Sequence, residues 1–252
     1  MKIGERIGTL RQVNDLSARQ LAGMVGVAPS TITRIESGAR QPTFDLAALI
    51  LTVLGETLTF DLAADPAAIA AARLALEPGL PVPVSEAVTE WRRRWAKIGL
   101  VTDVGVVRPG RVADLLFRAA TVARLARRVG AVDYDYLGDW TVVADRLAKS
   151  GVQWALTGDA AANAFYPSAT ESWPVFYVED VLDAERATGL IRRVGVSGRR
   201  ITLMPFDGVS EIGRTEIDGL WLASRWQVAL DCYGGIGRMR EQADQLMGVE
   251  SR

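Results

Sequence analysis

Pro29, Ser30, Thr33 and Arg34 stand at spacings that place them on one side of a short helix, and none is a core-forming type at that point. Small hydroxyls and a guanidinium in the first turns of a helix suit hydrogen bonding to base edges in a groove about 12 Å wide. Arg34 is the natural bidentate partner for a guanine, worth roughly 1–3 kcal/mol of discrimination. Ser30 and Thr33 can donate or accept, and their carbon atoms can touch a thymine methyl; Thr31 completes this polar set. Ser17, Arg19, Arg40, Gln41 and Thr43 fall near helix starts and loops, where side chains meet phosphates. The plainer alternative is a small helical bundle whose polar face is only solvated.

Such residues need helices to hold them, and the flanking sequence supplies the punctuation. Ile3, Ile7, Leu10 and Val13 keep helical spacing to a break at Asn14-Asp15. Ser17 reads as an N-cap with Gln20 at the capping-box position. Leu21, Met24 and Val25 form the apolar face of that second helix, and Gly26 ends it. Pro29 fits a first helical turn, Ile32 and Ile35 anchor the third helix, and Gly38 stops it. Thr43 caps a fourth, with Leu46, Leu49, Ile50 and Val53 inward. Beyond Gly55, Leu58, Phe60 and Leu62 alternate with polar residues as a strand does, and a twin strand from a second subunit would pair it.

Composition narrows the function classes. The chain has 252 residues, enough for two domains, and 29 basic against 30 acidic residues, so net charge says nothing about nucleic acid. There is no histidine, which removes histidine-based triads, general bases and zinc sites at once. The single cysteine, Cys232, cannot form an intrachain disulfide, so a reducing cytoplasm is the expected compartment. It reads as a buried structural thiol or, alternatively, a redox sensor. No signal-peptide core or membrane-length apolar run occurs, and a soluble protein with no membrane partner is expected.

Residues 64–84 read as a hinge: an alanine-rich helix from Pro66 to Leu76, then the proline-rich EPGLPVPV. Residues 85–130 form a basic helical segment. In WRRRW, Trp91 and Trp95 join Ile98 in an apolar stripe, leaving Arg92, Arg93 and Arg94 for solvent or for additional phosphate contacts. A second helix is expected from Pro109, carrying Val112 to Leu125. From Trp140 the pattern turns α/β: a helix to Gly151, a strand to Gly158, a small-residue helix stopped by Pro167, a strand Val175 to Val178, a helix Val181 to Val194, strands Ile201 to Met204 and Leu220 to Ala223, and helices Arg225 to Tyr233 and Arg238 to Met247. The GGIGR run at Gly234 to Arg238 is either an anion-cradling turn or a tight helix-helix connection.

Leu21-Ala22, Gly26-Val27, Ile32, Ile35-Glu36, Gly38 and Pro42 together resemble the phage-repressor or Xre-type helix-turn-helix over residues 1 to about 62. The resemblance implies a lambda-repressor-like all-α bundle that reads double-stranded DNA at a palindromic operator as a homodimer. One departure is Ala18, where the family usually has a glutamine that buttresses the recognition residues. Within residues 1–62, Lys2, Arg6, Arg11, Arg19, Arg34 and Arg40 are balanced by Glu5, Asp15, Glu36, Asp45, Glu56 and Asp61. A single neutral copy should bind DNA weakly, because phosphate neutralisation supplies most of the affinity.

The later stretch GVQWALTGDAAANAFYP, together with RWQVALDCYGGIGRMREQADQLM, resembles non-catalytic, nucleotidyltransferase-like domains of AbiEi-type antitoxins, over roughly residues 134 to 248. Together with the pattern along the chain, this gives a multidomain expectation: helix-turn-helix domain 1–63, linker 64–84, basic segment 85–130 and α/β domain 131–252, the last nucleotidyltransferase-like. The likeness also implies a toxin partner and autoregulation of their operon. A working nucleotidyltransferase needs carboxylates alternating on the strand after the glycine, to hold magnesium. Here Glu179 and Asp180 are adjacent, so no catalytic residue, metal or cofactor is expected. The alternatives are an enzyme of that type targeted to DNA, or an architectural DNA-bridging protein.

Overall fold

The computed structural model describes residues 2–57, 64–167, 173–192 and 200–248. The chain divides into two compact units, Met1–Asp61 and Leu62–Arg252, each with its own hydrophobic core.

Among the described residues the first unit has four helices, α1 (Ile3–Val13), α2 (Ala18–Val25), α3 (Pro29–Glu36) and α4 (Phe44–Val53). Ile7, Leu21, Ile32, Ile35 and Ile50 are its fully buried centre. Its size depends on how closely α1 can approach α3. A Cβ on Gly4 would overlap the Ile35 carbonyl oxygen, so only glycine permits that crossing without a backbone shift. Met24 and Leu49, both expected inside, are 56% and 46% exposed. Periodicity assigned them to the edge of each apolar stripe, and the core is too small to reach that far. The strand expected at Leu58 to Leu62 lies outside the described residues.

In the second unit, helices α5 (Pro66–Leu76), α6 (Glu86–Lys97) and α7 (Val112–Val122) precede a 3-10 turn at Leu125–Arg127. Then follow β1 (Val132–Asp135), α8 (Thr141–Ser150), β2 (Trp154–Thr157), α9 (Gly158–Phe165), β3 (Val175–Val178), α10 (Val181–Thr188), β4 (Ile191–Arg192), β5 (Arg200–Pro205), β6 (Thr215–Ile217), β7 (Leu220–Leu222), α11 (Arg225–Tyr233) and α12 (Met239–Met247). Among the described residues the strands form one mixed sheet in the order β4-β1-β5-β3-β2-β7-β6. Its central pairs are β3 with β5, parallel, and β2 with β3, antiparallel. All four residues of β2 and of β3 are buried, as strands covered on both faces must be.

The expected hinge is not a hinge. Helix α5 packs against α6, α7 and α11, and Ala68, Ile69, Ala71, Ala72 and Ala75 are essentially inaccessible. Alanine-rich sequence reads as a spacer, yet small side chains are what let one helix be surrounded closely by three others. The Asp65 side chain caps α5 through the Ala67 amide at 3.0 Å and accepts from Trp91 Nε1 at 2.7 Å, tying α6 to its start. So residues 64–84, 85–130 and 131–248 share one core rather than forming a linker, a helical segment and a separate domain.

Smaller corrections follow from local geometry. Helix α7 starts at Val112, because the chain from Pro109 first turns at Gly110. Helix α10 stops at Thr188, where left-handed Gly189 closes it before β4, well short of Val194. Trp95 is buried as expected, but Ile98 at the end of its stripe is half exposed.

Candidate nucleic-acid interface

Helices α2 and α3 are joined by the turn at Gly26, whose φ of 71° is a left-handed conformation natural to glycine. Ser17 caps α2 reciprocally with Gln20: its Oγ accepts from the Gln20 amide at 3.2 Å, and Gln20 Oε1 accepts from the Ser17 amide at 2.9 Å. Gln20 is thereby folded back on the cap and does not replace the glutamine absent at Ala18. Helix α3 begins with Pro29 at its first position and has no side-chain cap.

Ile32 and Ile35 bury the inner face of α3, and Pro29, Ser30, Thr33 and Arg34 lie exposed on the other, with Thr31 half-buried between. Thr33 Oγ1 donates to the Pro29 carbonyl at 3.3 Å, which restrains this exposed side chain. Beyond α3, left-handed Gly38 turns the chain back, and the Arg40 amide donates to the Arg34 carbonyl at 3.0 Å. That closure holds exposed Arg40 and Gln41 beside the end of the helix. Thr43 Oγ1 is engaged as the cap of α4, accepting from the Leu46 amide at 3.3 Å. The side chains of Arg19, Arg34 and Arg40 have no protein partner among the described residues.

One ion pair sets the orientation of this surface. Arg11 on α1 makes two bonds to Glu36 at the end of α3, Nε to Oε1 at 2.7 Å and Nη2 to Oε2 at 3.0 Å, and a third to the Leu16 carbonyl at 2.7 Å. The Glu36 hydrogen bond holds the Arg11 guanidinium above its usual pKa. A bidentate fork of this kind fixes direction as well as distance.

Residues 7–60 match the helix-turn-helix family model. This part of the chain is a helix-turn-helix domain, the DNA-binding module of transcriptional regulators. No curated protein and no solved structure matches the chain.

The other expected phosphate contacts belong to the second unit and not to the helix-turn-helix. Arg92 Nη2 donates to the Val104 carbonyl at 2.6 Å, while Arg93 and Arg94 both pair with Glu90, and Arg94 also lies over the Trp91 ring. Each of the three thus has a partner within the protein, while buried Arg92 Nε has none among the described residues and Arg93 and Arg94 remain exposed. Of the two carboxylates at the end of β3, Asp180 caps α10 by accepting from the Asp183 amide at 2.9 Å, and Glu179 is exposed beside it.

Two features of the second unit were not legible as sites. The first is a buried polar network. Asp231 on α11 accepts from Thr157 Oγ1 at 2.5 Å, Tyr177 Oη at 3.0 Å, Gln227 Nε2 at 3.0 Å and the Arg128 guanidinium. Burial opposes the Arg128 charge, but Asp231 and neighbouring Tyr177 more than offset it and raise its pKa; burial drives the Tyr177 hydroxyl up. Arg73, fully buried on α5, reaches the same network through Gln227 Oε1 at 3.2 Å and also pairs with Glu77. Cys232, next along α11, is fully buried with its thiol pKa raised by burial, which fits the structural reading of it.

The second is a cavity of about 760 Å³, lined by the β1–α8 turn, the start of α9, Trp173, Arg200 and the turn between α11 and α12. Asp159, in the first turn of α9, has its carboxyl pushed up to about 6 by burial, while the Trp173 amide donates to both its oxygens at 3.0 Å. The only sequence sign of this place was the GGIGR run, whose Ile236, Gly237 and Arg238 do line it.

Proposed function

We propose that the chain is a repressor that binds a palindromic operator as a homodimer in the cytoplasm, reading bases with Ser30, Thr33 and Arg34. The observation that carries this reading is the exposed, unpaired Arg34 on a helix locked by the Arg11–Glu36 fork. What supports a dimer is charge. The domain has as many acidic as basic side chains, and Arg11 and Arg6 are already committed to Glu36 and Glu56. Two copies on one duplex double the phosphate contacts available to the pair.

The test is selection of duplexes from a random pool with the full chain, followed by stoichiometry on the enriched sequence. We expect an inverted repeat with half-site centres about 10 base pairs apart or a multiple of that, and two chains per duplex. Enrichment of a single unrepeated site bound by one chain would overturn the dimeric reading, and no enrichment would overturn base reading altogether.

For the second unit we propose a nucleotidyltransferase-like fold without a reaction of its own, serving to bind a toxin encoded in the same operon. Support for the fold is the order α8, β2, glycine, α9, β3 around a mixed sheet. Support for a non-catalytic role is that the carboxylates at the end of β3 cap a helix and face solvent instead of converging. The antitoxin role predicts that deleting this gene is tolerated only when the adjacent toxin gene is deleted too. Normal growth of the single deletion, with the neighbouring gene expressed, would count against it.

A further inference from the structure

The cavity of the second unit is lined by aromatic side chains, Tyr136, Trp140 and Trp173, and by charged ones, Asp139, Asp159, Arg200 and Arg238. Trp173 is fixed at three points: its amide to Asp159 at 3.0 Å, its indole Nε1 to Thr202 Oγ1 at 2.9 Å, and one ring face under the Arg200 guanidinium, whose carbon lies 3.6 Å from the ring centroid. Arg200 is in turn held by Asp133 at 3.0 Å. Elsewhere on the lining, Tyr136 donates to the Asp139 carbonyl at 2.9 Å, fixing the turn that carries Trp140, and Trp140 packs on Phe176. These rings are therefore ordered before any ligand arrives, which lowers the entropic cost of binding. A volume of this size is within the range of small-molecule sites, which are mostly apolar with a few placed polar groups.

The charges of the lining differ in how far they are already satisfied. Arg200 is neutralised by Asp133, the Asp139 carboxylate accepts from the Thr141 amide at 2.9 Å, and Asp159 accepts from Trp173. Arg238 is exposed at the cavity wall and has no partner among the described residues. Of the two lining cations, Arg200 and Arg238, it is the one with no acid partner among the described residues, while the Asp139 and Asp159 carboxylates are bonded only to neutral groups. We propose that this cavity binds a small flat aromatic acid, its ring against the Trp140 and Trp173 walls and its anionic group at Arg238. The inference is independent of DNA reading, since both the residues and the measurement belong to the second unit.

The test uses the full chain and two probes of nearly the same shape, 1-anilinonaphthalene-8-sulfonate and uncharged N-phenyl-1-naphthylamine, followed by probe emission and tryptophan quenching. One saturable site is expected, with the sulfonate bound about tenfold more tightly at low salt, as one charge-assisted contact of about 1.4 kcal/mol gives. Arg238→Ala should abolish that preference and leave the uncharged probe unaffected. Trp173→Leu should weaken both probes, and Arg240→Ala, two residues on and stacked over Phe117, should change neither. Displacement of the sulfonate by indole-3-carboxylate marks a carboxylate site, and displacement by adenosine 5′-monophosphate a phosphate site. Equal binding of the two probes, sulfonate binding unchanged in Arg238→Ala, an equal loss in Arg240→Ala, no saturable binding, or displacement by neither acid would each overturn the proposal.

Discussion

Replacing Arg34 with alanine should lower affinity for the selected operator by about 5- to 150-fold, the 1–3 kcal/mol of one bidentate base contact. Affinity for scrambled DNA at the same salt should change little. The substitution is clean, because Arg34 is exposed and its side chain supports nothing within the protein, while Ile32 and Ile35 hold α3 in place. Arg40→Ala is the matched comparison. It sits beside the end of α3 and not on its reading face, so it should weaken operator and scrambled DNA alike and reduce the salt slope by about one. Equal losses on both DNAs for Arg34→Ala would make Arg34 a phosphate contact and leave base reading to Ser30 and Thr33. The measurement is binding anisotropy on labelled duplexes across a salt series.

Asp231→Leu should destabilise the second unit by about 3–5 kcal/mol, the usual consequence of removing one partner from a buried ion pair. Asp231 is inaccessible, and its loss strands the buried Arg128 guanidinium together with the Thr157, Tyr177 and Gln227 donors. Adding Arg128→Met should recover much of that stability, since a pair replaced by apolar residues is often nearly neutral. All the tryptophans, from Trp91 to Trp226, belong to the second unit, so denaturation followed by tryptophan emission reports on it alone. A loss under about 1 kcal/mol, or a double variant no better than the single one, would show that the network is not what holds α11 to the sheet.

The contrast between these two residues marks what could be read in advance. The exposure of Arg34 was legible because a helix-turn-helix is local: caps, glycine turn and apolar spacing all lie within a few residues of one another, and on α3 the period told the wet face from the buried one, as it did not for Met24 and Leu49. The same held for β2, β3 and α11, whose limits follow from short buried runs and clear stops. Asp231 carried no sign. Its partners Arg128, Thr157 and Tyr177 lie 54 to 103 positions away, and a lone aspartate in an apolar helix reads as a defect until those partners surround it. The cavity was hidden for the same reason, since Trp140, Asp159, Trp173, Arg200 and Arg238 converge only once the sheet is assembled.

Residues 64–84 show the limit most directly. Sequence determined that Pro66 to Leu76 is a helix, because alanine, leucine and a first-position proline decide that locally. Only the tertiary structure decided that this helix is core and not linker, because burial depends on which faces α6, α7 and α11 bring to it. By itself the sequence determined helix α3, its polar face and the elements around it. Which charges are paired, which are left exposed, and where a ligand could enter depend on distances between segments far apart in the chain, and those exist only in the folded state.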